Sequence, residues 1–295
     1  MVDALNGVFG QHPGARAVHA KGILLEGTFT PSKIAATVSK APHLQNNAVP
    51  VVVRFSNFAG IPTVPDTDGN ASPRGFAIKF KLPDGSDSDI VAHSFNGFPS
   101  PTGDDFRDLL IAIGTSGAGA AKPTPLETYF SNHPVAKEFL TSPKPNPVSF
   151  SSLPYFGVNT FKFTNAAGKE TYGRYQFQPV GAAKYLTASQ SSKAPPNYLL
   201  DEIGARVKKA PVKFRFVLQV ADNGDKLDDP SVAWPDTRKT IELGVISITR
   251  RIPDAPVADK KLLFIPNAVP AGIEPADPMI QIRSMAYPVS FGRRQ

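Results

Sequence analysis

The chain contains no cysteine, which excludes disulfides, thiolate metal sites, iron–sulfur clusters and cysteine nucleophiles together. That absence leaves the compartment open, since exported and cytosolic proteins alike can do without cysteine. Long hydrophobic runs are missing too. The longest, such as Leu109 to Ile113, fall far short of the ~20 apolar residues that a membrane span requires. The basic excess is real, with a net charge of +7 and a pI of about 9.5, but it is dispersed. Its densest groups are mere pairs (Lys208-Lys209, Arg250-Arg251, Lys260-Lys261, Arg293-Arg294), and none carries the stacking aromatics of single-strand binders. A solvated basic surface or an anionic small ligand is expected, and no nucleic acid.

What is present describes a folded chain. Hydrophobic residues make up 41% and charged residues 19% of 295 positions, enough for a substantial core. Thirty prolines and 23 glycines imply many turns and few long helices. Strand signals recur. In Val51 to Ser56 the period of two puts Arg54 and Ser56 on one face. Gly75 to Leu82 alternates Phe76, Ile78 and Phe80, ends at the Pro83-Asp84-Gly85-Ser86 turn, and is answered by Asp89 to Phe95. Gly157 to Val180 holds two more strands around Asn165-Ala166-Ala167-Gly168, and Val212 to Val220 shows the clearest alternation. With Lys21 to Phe29 and Ile241 to Ile252 the count is about eight, which predicts a closed antiparallel β-barrel.

Two segments have helical spacing. Thr102 to Gly114 places Phe106, Leu109, Leu110 and Ile113 on one face with Asp104 and Asp105 in its first turn; Asn197 to Lys209 carries Leu199, Leu200, Ile203 and Val207. No repeat and no hinge is visible, so residues 1–295 read as a single α+β domain, an eight-stranded barrel with inserted and peripheral helices.

The chemistry-bearing inventory is short. Five histidines, at 12, 19, 43, 93 and 133, show no i, i+4 metal-ligand pair. There is no Gly-x-Ser-x-Gly elbow, phosphate loop or dinucleotide fingerprint. By elimination, chemistry needs an organic or haem cofactor. Four ordered segments then stand out: Arg16-Ala17-Val18-His19-Ala20-Lys21-Gly22; Val53-Arg54-Phe55-Ser56 followed by Pro73-Arg74-Gly75-Phe76; Trp234-Pro235-Asp236 running into Ile241-Glu242-Leu243-Gly244; and Gly272-Ile273-Glu274-Pro275 with Asp277, then Gln281-Ile282-Arg283-Ser284-Met285-Ala286-Tyr287-Pro288.

In this order and at these spacings they resemble the haem catalases, and among them the short catalase-related peroxidases, over nearly the whole chain from Arg16 to Arg294. The resemblance implies haem b with Tyr287 as the iron ligand. Arg283, one helical turn before it, would favour the phenolate. It implies His19 as the distal acid–base, for which an ordinary imidazole pKa near 6.5 is suitable, and Ser56 as the group that orients it. It further implies Arg16, Arg54 and Arg294 as partners of the haem propionates. Val18, Phe98 and Phe106 would then be distal-face residues. His93 stands where the family has an asparagine that holds peroxide, with Asn96 nearby but out of register. This departure shifts the expectation from efficient disproportionation toward peroxidase turnover.

The implied function is a haem peroxidase that reduces hydrogen peroxide or organic hydroperoxides with a small organic reductant, with weak catalase activity. Alternatives are a hydroperoxide isomerase or dehydratase on the same fold, and a non-catalytic haem-binding barrel. The chain begins 15 residues before Arg16 and ends eight after Tyr287, so a monomer or small homo-oligomer, no NADPH and a more open pocket are expected. No export signal is visible in Met1 to Gly10, and a periplasmic mature form and a cytoplasmic protein both fit.

Overall fold

The computed structural model describes residues 1–295. Nine strands form: β1 (Gly22–Pro31), β2 (Val49–Ser56), β3 (Gly75–Lys81), β4 (Asp87–His93), β5 (Tyr155–Thr164), β6 (Glu170–Pro179), β7 (Val212–Val220), β8 (Thr240–Arg251) and β9 (Ile273–Pro275). The first eight make an antiparallel barrel in the order β4-β3-β2-β1-β8-β7-β6-β5, closed where His93 of β4 pairs with Phe156 of β5. The short β9 adds to the free side of β5. The eight expected strands are all present, with ends shifted by a few residues. Asp89 to Phe95, for instance, is replaced by Asp87–His93, because the chain must leave the sheet at Ser94 to enter the inserted helices.

Alternation in the sequence becomes inside and outside in the barrel. On β2, Val51, Val53 and Phe55 point inward, whereas Arg54 and Ser56 share the outer face. The interior is dominated by phenylalanine. Phe29, Phe55, Phe76, Phe80, Phe177, Phe214 and Phe216 are essentially inaccessible, and Phe177 and Phe216 stack at 5.0 Å. Twenty phenylalanines against one tryptophan suit a closed barrel, whose interior has few partners for a polar ring atom. Tyr155 finds one by donating its hydroxyl to the Phe150 carbonyl at 2.8 Å. Closure also needs a bend in β8. Gly244 sits at φ +149° beside the β7–β8 register shift, and a Cβ there would lie 2.3 Å from the Thr30 carbonyl oxygen.

Nine helices surround the barrel: α1 (Val2–Phe9), α2 (Ala35–Val38), α3 (Gly103–Gly114), α4 (Pro125–Asn132), α5 (Pro134–Thr141), α6 (Ala188–Lys193), α7 (Tyr198–Lys209), α8 (Ala255–Lys261) and α9 (Met279–Arg293). The two helices read from periodicity are α3 and α7. In α3 the Thr102 side chain accepts from the Asp105 N–H, and in α7 Leu199, Ile203 and Val207 are buried. Two buried cations clamp loops to the barrel. Lys79 pairs with Asp89 (2.7 Å), which also accepts from the Ile265 N–H (2.8 Å) and so ties the stretch before α9 to β4. Arg174 donates to the Val232, Asp229 and Lys226 carbonyls and lies over the Trp234 ring at 4.3 Å. The Trp234-Pro235-Asp236 segment therefore anchors the β7–β8 loop and takes no part in a site.

One core residue breaks the polar rule. His43 is fully buried against Phe80 and Phe29, and neither ring nitrogen has a partner. Burial lowers its pKa from the usual 6.5 to about 3. Because the unfolded chain binds this proton and the folded chain does not, stability is lost as pH falls through 6.5 toward 3, by about 1.4 kcal/mol per pH unit. His43→Leu removes two unpartnered polar atoms and is expected to stabilise the protein by about 1–3 kcal/mol at pH 7. The gain should widen at pH 4.5 in urea melts; a destabilised variant, or an equal gain at both pH values, would contradict this account.

Candidate functional site

The site lies on the outside of the barrel, over β2, β3 and β4, under α1, α3 and α9. Cross-strand register aligns Ser56, Gly75 and His93 in one row and Arg54, Ala77 and Val91 in the next. All six line a single cavity, with about 1340 Å³ of empty space including its mouth. Twenty of its thirty lining residues are hydrophobic, which favours an apolar body with its charges confined to one edge.

His19 sits above the first row in a strained, left-handed conformation (φ +56°), held by its own N–H to the Phe58 carbonyl at 2.7 Å. Its Nδ1 shares a 3.0 Å hydrogen bond with Ser56 Oγ, which leaves Nε2 for the cavity. Gly75 makes room for this pair: a Cβ there would lie 2.4 Å from Ser56 Oγ and 2.6 Å from His19 Nδ1. Burial, then the charges of Arg54 and His93, lower the His19 pKa to about 3. The expected value near 6.5 is therefore corrected. His19 is a neutral imidazole throughout the physiological range, and that is the form able to take a proton.

His93 ends β4 and lines the same cavity. The Phe95 N–H donates to its Nδ1 (3.4 Å), which puts the ring proton on Nε2, and that buried N–H has no partner. Burial, followed by the charge of Arg283, lowers the His93 pKa to about 3 as well. Asn96 does not line the cavity. Phe98 and Phe106 do, with ring centroids 4.7 Å apart, as does Val18.

Helix α9 brings the other half. Arg283 and Tyr287 share one face at i, i+4, and Arg283 Nη2 donates to the Tyr287 hydroxyl at 2.8 Å. The guanidinium is itself fixed: its Nη1 donates to Asn159 Oδ1, and Asn159 Nδ2 donates to Asp277 Oδ2 at 2.7 Å. Asp277 also accepts from the Met279 N–H at 2.8 Å, at the start of α9. Asn159 eluded the sequence reading, since an asparagine inside a strand gives no signal until β5 is placed beside α9.

At the cavity edge stand Arg16, Arg54 and Arg294. Arg54 donates to the His19 carbonyl (2.9 Å) and, through Nε, to Asp259 Oδ1 (2.8 Å); Arg16 donates to Asp259 Oδ2 (2.7 Å). Arg294 donates to the Leu262 and Lys260 carbonyls. Asp259 was not singled out from the sequence, because a lone aspartate in a short polar helix gives no signal.

A tyrosine with a cation on its oxygen, a neutral orientated imidazole, and three guanidiniums for a carboxylate-bearing edge thus meet in one cavity. Comparison with known proteins agrees. The Catalase family model matches residues 11–294. A catalase-related peroxidase of Mycolicibacterium paratuberculosis is 37% identical over 99% of this chain and 93% of that protein. A second catalase-related peroxidase, from Synechococcus elongatus, is 33% identical over 100% and 87% respectively. The chain belongs to the catalase family. A solved bacterial catalase shares the fold at a TM-score of 0.83 and 21% identity, covering 96% of this chain and 58% of that one. As a catalase-related peroxidase, the protein is an oxidoreductase that acts on peroxide, and the non-catalytic barrel is set aside.

Gly75→Ala tests the distal arrangement. The added methyl forces Ser56 and His19 apart, and peroxide turnover should fall about ten- to a hundredfold, the scale for losing an orienting partner, while the thermal melt stays cooperative. Wild-type turnover in this variant would show that the pair does not matter.

Proposed function

We propose that the protein holds haem b with Tyr287 as the iron ligand and reduces hydrogen peroxide or organic hydroperoxides at the expense of a small organic reductant. The observation that carries this reading is the charge at the cavity edge. Three guanidiniums face one carboxylate, a local excess of two positive charges, and haem b presents two propionates. Unused N–H groups remain on Arg16, Arg54 and Arg294 to receive them. The partnerless Nε2–H of His93 is a second fit, since it awaits an acceptor such as a peroxide oxygen.

When bound, the haem supplies the redox-active iron at which the peroxide O–O bond is broken. The residues do the rest. Arg283 donates to the Tyr287 oxygen and would stabilise negative charge there once the iron is bound, and Asn159 and Asp277 keep that guanidinium in place. His19 Nε2 takes the proton from the incoming hydroperoxide and returns it to the departing oxygen, so that alcohol or water leaves uncharged. Ser56 keeps Nε2 directed at the cavity, and the Nε2–H of His93 replaces the amide donor of the family asparagine. The donor returns two electrons and two protons, which balances reduction of the hydroperoxide to an alcohol and water. The largely hydrophobic lining favours organic hydroperoxides and aromatic donors as well as hydrogen peroxide.

Tyr287→Phe should lose the charge-transfer and Soret features of a ferric tyrosinate haem in protein expressed with added haem, whereas His19→Ala should keep its haem band and lose at least about a hundredfold in peroxide turnover. An unchanged spectrum in the first variant would remove the ligand assignment; an unchanged rate in the second would remove the proton path.

The pH profile follows from the lowered His19 pKa. The base acts as the neutral imidazole, so kcat/KM for peroxide should stay level from about pH 5 to 8 and decline only as His19 is protonated toward about 3. A decline centred near 6.5 in stopped-flow assays would contradict it.

A further inference from the structure

We infer that Asp259 is the third carboxylate of the cofactor's charge cluster: it neutralises one guanidinium of the Arg16–Arg54–Arg294 trio from behind, orients the Arg16 and Arg54 forks toward the propionates, and keeps the iron's surroundings electrically neutral. The inference rests on the haem reading above and adds to it a residue that tunes the cofactor.

Four observations carry it. First, Asp259 uses both oxygens. Oδ1 accepts from Arg54 Nε at 2.8 Å, and Oδ2 accepts from Arg54 Nη2 at 3.1 Å and Arg16 Nη1 at 2.7 Å. One carboxylate therefore fixes two guanidinium planes at once.

Second, Asp259 is absent from the cavity lining while all three arginines belong to it. It reaches the arginines from α8 without entering the cavity lining. A carboxylate that merely stood in for a propionate would lie in the cavity itself.

Third, the charges close. Three guanidiniums against Asp259 leave two positive charges, and two propionates bring the group to zero. Without Asp259 one buried cation would stay uncompensated, a costly state in a site where Arg54 is only 4% exposed. The titration behaviour agrees. Burial raises the Asp259 carboxyl, but the pull of Arg54 and Arg16 outweighs it and holds the group below the usual carboxylate value. Burial and Arg54 lower Arg16 to about 9 despite its bond to Asp259, as expected for a trio still short of negative charge.

Fourth, the placement is local and rigid. The Arg16 Nη2 group also donates to the Asp259 and Leu262 carbonyls, and Arg294 donates to Lys260 and Leu262. The end of α8 is thus bound to the trio by backbone as well as side chain.

A net positive charge near the haem favours the ferrous over the ferric state, so the cluster's charge sets the midpoint potential. The test is spectroelectrochemistry of the haem-loaded protein. Asp259→Asn should shift the Fe(III)/Fe(II) midpoint positive, and Arg16→Gln, which leaves one carboxylate in excess, should shift it negative. The double variant, which again balances two guanidiniums with two propionates, should return near the wild-type value. Compensation of this kind reads charge, because a purely structural role predicts that damage from the two substitutions accumulates. The double variant also serves if Asp259→Asn alone fails to fold, since it removes the unpaired cation. An unchanged or negative shift in Asp259→Asn, or a double variant displaced further than either single one, would overturn the assignment. A wild-type protein that takes up no haem would overturn the cofactor reading itself, a result distinct from any of these shifts.

Discussion

A buried guanidinium must find acceptors, and Arg54 finds four of them at the place where the site is built. Its position on the outer face of β2 is fixed by strand alternation. From there it holds the carbonyls of His19 and Ala20 and the carboxylate of Asp259. One side chain thereby locks the strained turn that presents His19, ties α8 to the barrel, and supplies a third of the positive edge. The strain at His19 persists because this bond and the Phe58 carbonyl determine its backbone from both sides.

The barrel makes such precision affordable in a chain of modest length. Its phenylalanine interior is closed and nearly free of polar groups, so the outer faces of β2, β3 and β4 behave as a stiff platform. The row Ser56, Gly75, His93 is a product of register, with a glycine between the two polar residues because the imidazole of His19 needs the volume a Cβ would fill. The proximal half uses the other stiff element, α9, whose i, i+4 spacing sets Arg283 against Tyr287. The chain from Tyr287 through Arg283 and Asn159 to Asp277 links helix, strand and helix start in one hydrogen-bonded line.

The two halves treat protons differently. Burial keeps His19 and His93 neutral, so the distal side can accept protons and donate hydrogen bonds without carrying charge. At the edge, the guanidiniums of Arg16, Arg54 and Arg294 keep their charge and exceed the one carboxylate that meets them.

By itself the sequence determined the barrel, since hydrophobic alternation with a period of two is local, and it determined α3 and α7, whose apolar stripes are local too. It also pointed to His19, Ser56, Tyr287, Arg283 and the three arginines, because their motifs are short, ordered and chemically unusual. Only the tertiary structure decided the rest. Asn159 and Asp259 act through partners more than a hundred residues away, and no window of sequence shows such a contact. The pKa of His19 departs from its ordinary value because burial and the charge of Arg54 act through space. The same holds for the balance of three cations against one carboxylate: it depends on which groups share a cavity edge, and chain folding alone brings them there.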